Sequence, residues 1–241
     1  MSRRPGREPA AAGTGAELPG DLADPGRGEA GPALRDAVLR LLDAAGPDGT
    51  VPIVQAGHPV LRQVARPYDG ELAPDELTAL VGLMHRTMRA APGVGLAAPQ
   101  IGLPLALAVL ADPGAEGEVA RVRQRPPLPF RVLVNPSCAA VDDERVAFYE
   151  GCLSVRGYQA VVPRARRVHL TGYDETGLPL DEVVAGWPAR IVQHETDHLG
   201  GTLYVDRARM RSLVAADAWG LRWTSEPSPR TAAELLGFPL D

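Results

Sequence analysis

Apolar side chains recur along the chain at spacings that predict amphipathic helices. Leu34, Val38 and Leu41 lie on one face of a helix predicted over residues 32–45. Residues 74–90 repeat this spacing and predict a second helix. Each helix therefore has an apolar stripe that needs a core to pack against.

Shorter aliphatic runs bounded by turn signals predict β-strands. The predicted strands cover residues 51–54, 103–111, 119–122, 131–135, 145–149, 158–162, 166–173 and 178–185. Two further helices are predicted over residues 207–218 and from Ser228 to Leu236. The pattern as a whole predicts one domain of mixed helices and strands with flexible ends, and residues 1–30 lack apolar periodicity, which is typical of a disordered leader.

Composition and charge narrow the function classes. The net charge of −5 argues against a general affinity for nucleic acid, although Arg207, Arg209 and Arg211 are candidates for a local basic face. The sequence contains no apolar run of about 18 residues, so no transmembrane helix is predicted, and the first residues lack the apolar core of a secretory signal. We therefore expect a cytoplasmic protein whose Cys138 and Cys152 are free thiols.

Two histidines four residues apart are the first candidates for chemistry. His194 and His198 lie on one face of a predicted helix that has Pro188 in its first turn and ends at Gly200. Both imidazoles can reach one metal ion, and Glu195 is placed to act as a general base toward a water molecule. This spacing is typical of metal-dependent hydrolases.

The histidine motif alone does not identify the third metal ligand. Tyr204 stands where one class of zinc peptidases has a third histidine, so that class lacks a ligand here. Glu226 and Glu234 are candidates from the tail. Cys152 is the remaining soft donor, and the glycine before it leaves its sulfur accessible.

A stretch of small residues completes the candidate site. Residues 93–102 contain three glycines, two alanines and a proline, so another backbone can approach this segment closely. Gln100 is the polar side chain able to donate a hydrogen bond from this surface.

Three stretches together resemble the motifs of peptide deformylases, in the order found in that family. They are Gly93-Val94-Gly95-Leu96-Ala97-Ala98-Pro99-Gln100, Glu150-Gly151-Cys152-Leu153-Ser154 and Gln193-His194-Glu195-Thr196-Asp197-His198-Leu199. Residues 57–62 and 201–207 add supporting matches. The resemblance runs from about Thr50 to Arg211, and three motifs in register are highly specific.

The resemblance implies an α+β fold in which antiparallel β-sheets surround a central helix carrying both histidines. It implies that Cys152, His194 and His198 bind one divalent metal, commonly Fe(II), with Zn, Ni or Co as substitutes. It implies removal of the formyl group from the N-formylmethionine of nascent polypeptides. The domain boundaries expected from it are a leader at 1–30, a helical extension at 31–48, a catalytic domain at 49–218 and a tail at 219–241.

The residues of the three motifs receive roles in this chemistry. Glu195 moves the proton from the attacking water to the leaving amine. The Gln100 amide and the Leu153 backbone N–H stabilise the charge that develops on the formyl oxygen. By family analogy, the residues near the methionine pocket or substrate cleft are Val94, Gly95, Glu150, Trp187 and Arg190.

Departures and alternatives accompany this interpretation. Many relatives have proline where Arg156 stands, which affects the substrate entrance but no metal ligand.

A metallopeptidase with the same histidine spacing is one alternative function, and a non-catalytic module that binds the ribosome or the nascent chain is another. Ribosome contact through the C-terminal region is an open expectation; sequence-specific nucleic-acid binding and membrane association are not expected.

Overall fold

Two antiparallel β-sheets and a set of helices form the part of the chain that the computed structural model describes, residues 34–224 and 226–240. The predicted leader at 1–30 lies outside these residues. The helices are α1 (Leu34–Asp43), α2 (Pro74–Ala90), α3 (Gly117–Arg123), α4 (Gly186–Leu199), α5 (Tyr204–Arg207), α6 (Ala216–Arg222) and α7 (Arg230–Leu236). The strands are β1 (Gly95–Ala97), β2 (Leu107–Asp112), β3 (Leu128–Ala140), β4 (Arg145–Cys152), β5 (Val155–Ala165), β6 (Arg167–Tyr173), β7 (Pro179–Ala185) and β8 (Val214–Ala215).

The order of the strands in each sheet decides which strands have a free edge. The larger sheet runs β1-β2-β3-β6-β7 and the smaller runs β4-β5-β8, and adjacent strands are antiparallel in both. β1 and β4 are therefore both edge strands. α4 packs against strands of both sheets, so it occupies the centre of the fold.

Two apolar clusters hold the larger sheet between helices. Leu41 of α1 and Met84 of α2 are fully buried against one face of the sheet. On the other face, Leu133 and Leu170 pack with Ile191 of α4. Burying such a side chain contributes about 1.5–3 kcal/mol to the free energy of folding. The apolar face of α4 therefore fixes this helix against the larger sheet.

Several predicted elements are confirmed and three are wrong. The α2 bounds agree with the prediction, and α1 lies within its predicted range. Residues 51–54 form no strand, because the backbone N–H of Val54 donates to Gln100 O (2.8 Å) instead of to a neighbouring strand. Residues 119–122 belong to α3, since Val119 and Val122 are also three apart and so fit one helix face.

The predicted helix at 207–218 is the third error. Residues 210–212 form a 3₁₀ turn, Val214–Ala215 form β8, and a helix begins only at Ala216. Val214 and Ala215 pair with β5, and this pairing overrides the local helical pattern. The last helix, α7, buries Ala232 against the smaller sheet, and no helix of the described residues is long and apolar enough to cross a membrane.

Candidate active site

Helix α4 presents both histidines and Glu195 toward the two sheet edges. It begins at Gly186, whose φ of +67° is a conformation that favours glycine. A Cβ at this position would lie 2.6 Å from the carbonyl oxygen of Gln124, which accepts a hydrogen bond from Trp187 N (3.0 Å). The start of the helix is thus fixed against the segment that follows α3.

Cys152 ends β4 and completes a cluster of three metal-ligand types. Its Sγ lies 3.2 Å from His198 Nε2, and donor atoms of Cys152, His194 and His198 all lie within 4.8 Å of one another. Metal bonds to sulfur and imidazole nitrogen are about 2.0–2.3 Å long, so one ion can reach all three atoms. A thiolate with two imidazoles fits a divalent transition metal, and three protein ligands leave a position open.

Glu150 fixes the orientation of the His194 ring through Nδ1, the ring nitrogen that faces away from the three-residue cluster. Its Oε2 lies 3.0 Å from His194 Nδ1, which leaves Nε2 of that ring to face the cluster. Arg164 holds the same carboxylate with two bonds of 2.7 and 2.9 Å, and Arg190 adds one of 2.5 Å. Burial alone would raise the pKa of Glu150, but the two guanidinium groups hold it well below its usual range.

The ion pairs continue from Glu150 to the surface. Arg164 also donates to Asp197 (2.6 Å), and Asp197 accepts two bonds of 2.8 Å from Arg207. Arg164 is 3% exposed, whereas the Arg207 side chain is about half exposed. A continuous set of charge-assisted bonds therefore connects the histidine helix to solvent.

Glu195 is buried against the backbone of β1. It is 3% exposed, and its Oε2 has no hydrogen-bond partner among the described residues. Burial raises the pKa of Glu195 to about 7. A carboxylate with such a pKa exchanges protons readily near neutrality, as a general base must.

Gly95 leaves the space that Glu195 occupies. A Cβ on Gly95 would lie 2.2 Å from Glu195 Oε1. We expect Gly95→Ala to displace the carboxylate and lower kcat by about 100-fold, within the range that a positioned acid–base group contributes. Steady-state kinetics check this, with metal content measured in parallel. Gly220→Ala is the control, because a Cβ on Gly220 has open space around it; equal losses in both variants would contradict the argument.

The predicted oxyanion donors lie beside Cys152. Gln100 is 2% exposed, its Oε1 accepts from Ala97 N (2.8 Å), and its Nε2 donates to Ser154 Oγ (3.2 Å). Leu153 occupies the turn between β4 and β5, and its carbonyl accepts a 3.0 Å bond from Gln55 Nε2. The side chain of Gln100 and the Leu153–Ser154 peptide are therefore each held in one orientation.

A cavity of about 810 Å³ opens in front of this cluster. β1 lines it with Gly95 and β4 lines it with Glu150 and Cys152, so the two strand edges face the same space. Val94 and Trp187 also line the cavity. An extended peptide can add to such an edge through backbone hydrogen bonds.

Not every predicted residue has the surroundings that its predicted role suggests. Glu150 and Arg190 line the cavity, but both are buried and bonded to internal partners, including Val162 O (2.9 Å) for Arg190. Their contact with substrate stays a prediction. The sequence interpretation missed Arg164 and Gln55, which support Glu150 and Leu153 from elsewhere in the chain.

Comparison with known proteins decides the family. Residues 50–213 match the family model described as polypeptide deformylase. The chain belongs to the peptide deformylase family. Peptide deformylase 3 of Streptomyces avermitilis is 58% identical over 208 residues, which cover 86% of this chain and 91% of that protein. The human protein named peptide deformylase, mitochondrial, is 40% identical over 197 residues, covering 78% and 81%.

Solved peptide deformylases share the fold. A class I type b peptide deformylase from Acinetobacter baumannii with Met-Ala-Ser bound superposes with a TM-score of 0.59 and 35% identity, covering 66% of this chain and 98% of that one. Peptide deformylases are metal-dependent hydrolases that remove the formyl group from the N-terminal methionine of nascent polypeptides. The predicted family, α+β fold and activity are thereby confirmed.

Proposed function

We propose that Cys152, His194 and His198 hold one divalent metal ion and that Glu195 performs proton transfer during deformylation. The observation that carries this assignment is that the three donor atoms lie within 4.8 Å of one another. The buried carboxylate of Glu195 lies on the helix that carries the two histidines. When bound, the metal supplies Lewis-acid chemistry that lowers the pKa of water and polarises a carbonyl oxygen. Fe(II) is our proposed native metal, and Zn, Ni and Co suit the same donors.

Glu195 carries the protons of the reaction. Its carboxylate takes a proton from the attacking water and delivers it to the methionine nitrogen as the bond to the formyl carbon breaks. Its burial beside Gly95 keeps it close to the three donors and away from bulk water. The products are formate and a peptide with a free N-terminal amine.

Gln100 and Leu153 stabilise the transition state in this proposal. The Gln100 Nε2 is held beside Cys152 by the hydrogen bonds of its side chain, and we assign the second donor to the Leu153 N–H, which follows Cys152 directly in the chain. Removing one such preorganised donor typically lowers the rate by about 10²–10³-fold.

The substrate binds as an extended strand between β1 and β4. Gly95 of β1 lines the cavity along this path, and Val94 and Trp187 supply apolar surface for the methionine side chain. Glu150 and Arg190 shape the base of this pocket, and in this proposal they act chiefly by holding His194 in place.

A paired substrate assay tests the function. We expect stoichiometric formate from formyl-Met-Ala-Ser and no cleavage of an unformylated internal peptide. Cleavage of internal bonds alone would identify a metallopeptidase, and absence of both activities in metal-loaded protein would identify a binding module. Either result would contradict the proposal.

Metal removal is expected to abolish turnover reversibly. Protein purified without oxygen and then treated with a chelator should release no formate, and Fe(II) should restore activity because the donor set is preformed. Metal analysis of the untreated protein identifies the native ion. Full activity in verified metal-free protein would contradict the assignment of Cys152, His194 and His198.

The cellular setting is also part of the proposal. A cytoplasmic location suits an enzyme whose substrate is a nascent chain, and we propose ribosome contact through the C-terminal region. Two of its arginines have internal partners, because Arg207 binds Asp197 and the Arg211 Nε donates to Leu236 O (2.9 Å). Co-sedimentation with ribosomes, compared with a chain lacking residues 219–241, tests this contact.

A further inference from the structure

Charged side chains around the active-site cavity do not balance one another. Among the residues that the structure describes, four arginines line it, namely Arg123, Arg125, Arg156 and Arg190, and two carboxylates do, namely Glu150 and Glu195. The chain as a whole has a net charge of −5, so this local excess of positive charge runs against the overall balance.

Internal ion pairs account for half of these arginines. Arg125 binds Asp112 with bonds of 2.8 and 2.9 Å, and Arg190 binds Glu150. Glu150 is further neutralised by Arg164. Of the two carboxylates that line the cavity, Glu150 is thus already bound to arginines of the fold.

Arg123 and Arg156 have no carboxylate partner among residues 34–224 and 226–240. Arg123 stacks over Trp187 with its guanidinium carbon 5.4 Å from the ring centroid, and donates only to backbone carbonyls, Pro227 O (2.8 Å) and Glu226 O (3.2 Å). Arg156 is exposed at the start of β5. Two positive charges therefore face the cavity without a counter-ion from the fold.

Neutral donors in the same wall also lack acceptors. Tyr149 Oη, Trp187 Nε1 and Trp219 Nε1 are buried atoms with no hydrogen-bond partner within the described residues, and all three side chains line the cavity. An indole N–H can only donate. Burial and the neighbouring Glu226 carboxylate raise the pKa of Tyr149 to about 12, and Glu226 Oε2 itself accepts from Thr231 N (3.4 Å). These three donor atoms are shielded by their own burial, so the charged groups without a carboxylate partner that a ligand can meet here are Arg123 and Arg156.

We propose that this cleft selects formylmethionyl peptides with an acidic side chain among the residues after methionine, and that Arg123 and Arg156 provide the selectivity. The inference rests on the proposed function and specifies its substrate class. A carboxylate supplies the negative charge that Arg123 and Arg156 lack from the fold, and guanidinium groups bind carboxylates with two parallel bonds. Arg156 and Arg123 act as specificity residues and take no part in the bond that breaks.

Isosteric peptides test the selectivity. We compare kcat/KM for formyl-Met peptides that carry Asp or Asn at the second, third or fourth residue, otherwise identical. We expect an Asp preference of roughly three- to tenfold at one of these positions, decreasing as ionic strength rises, because exposed charge pairs are weak and screened by salt. An Asp-to-Asn ratio near one at every position in low salt would overturn the proposal.

Matched variants identify the residues responsible. Arg123→Gln and Arg156→Gln should each reduce the Asp-to-Asn ratio, and the double variant should bring it near one. Arg121→Gln is the control, since Arg121 lies on the same helix but pairs only with Glu118 at the surface. The ratio within one variant cancels changes in folded fraction or metal content, so a ratio unchanged in the double variant would overturn the assignment.

Product binding separates this proposal from the proposed function. Calorimetry with the deformylated peptides, Met-Asp and Met-Asn forms, measures the same preference without turnover. A chain that releases no formate yet binds the Asp form more tightly would contradict deformylation but support the selectivity. Equal formate release and equal binding from both forms would overturn the selectivity alone.

Discussion

Glu195→Gln is expected to lower kcat by about 10²–10⁴-fold while the protein keeps its metal. Glutamine has nearly the same shape as glutamate, so the packing against Gly95 is preserved. The amide cannot take a proton from water at neutral pH, and the leaving amine then lacks its proton donor. The loss of kcat therefore reports on proton transfer and not on altered packing.

Three measurements make this result specific. Metal analysis of the variant should give the wild-type content, because Glu195 is not one of the three proposed ligands. KM for formyl-Met-Ala-Ser should change little, and the melting temperature should not fall, since removing a buried carboxylate without a partner on Oε2 relieves a desolvation cost. Wild-type turnover in Glu195→Gln would show that another group is the base.

The sequence predicts the reactive residues of this site because they are encoded locally. His194, Glu195 and His198 share a helix face through their spacing alone, and Pro188 and Gly200 mark its two ends. The residues alone make Cys152 one of three candidates for the third ligand, and the family resemblance is needed to choose it over Glu226 and Glu234. The structure then brings its sulfur to 3.2 Å from His198.

The supporting residues could not be predicted because their partners are distant in sequence. Arg164 and Arg166 lie at the junction of two predicted strands, residues 158–162 and 166–173, yet Arg164 is buried and Arg166 is only half-buried. What distinguishes them is the pair of carboxylates that Arg164 meets, Glu150 and Asp197, which lie 14 and 33 residues away. Only the pairing of β4 with β5 and the position of α4 create that contact.

The same reason explains the misassigned elements. The sequence around residues 214–215 predicts a helix, but the backbone of these two residues pairs with Tyr158 and Gln159 of β5. Val51 and Val54 are buried like strand residues, but they meet the side chain of Thr87 and the turn at Gln100. In each case tertiary hydrogen bonding decides a segment whose local preference is weak.

Glu150→Gln is expected to reduce both stability and metal affinity. The substitution removes the one carboxylate shared by Arg164, Arg190 and His194, and leaves the two guanidinium groups, 3% exposed each, partly unneutralised. Breaking a buried ion pair from one side costs about 3–5 kcal/mol. Loss of an outer partner of a ligating histidine lowers metal affinity about 10–100-fold, because the ring is no longer held in its orientation.

Asp112→Asn separates the two effects. Asp112 is also a buried carboxylate bound to an arginine, Arg125, but it contacts none of the three proposed metal ligands. Urea unfolding of the metal-free proteins should therefore show a loss in both variants, whereas competition with a metal chelator should show weaker binding only in Glu150→Gln. Equal metal affinity in the two variants would mean that Glu150 serves the fold and not the orientation of His194. A selective loss would establish that the buried arginine pair acts through Glu150 to hold the histidine that the reaction needs.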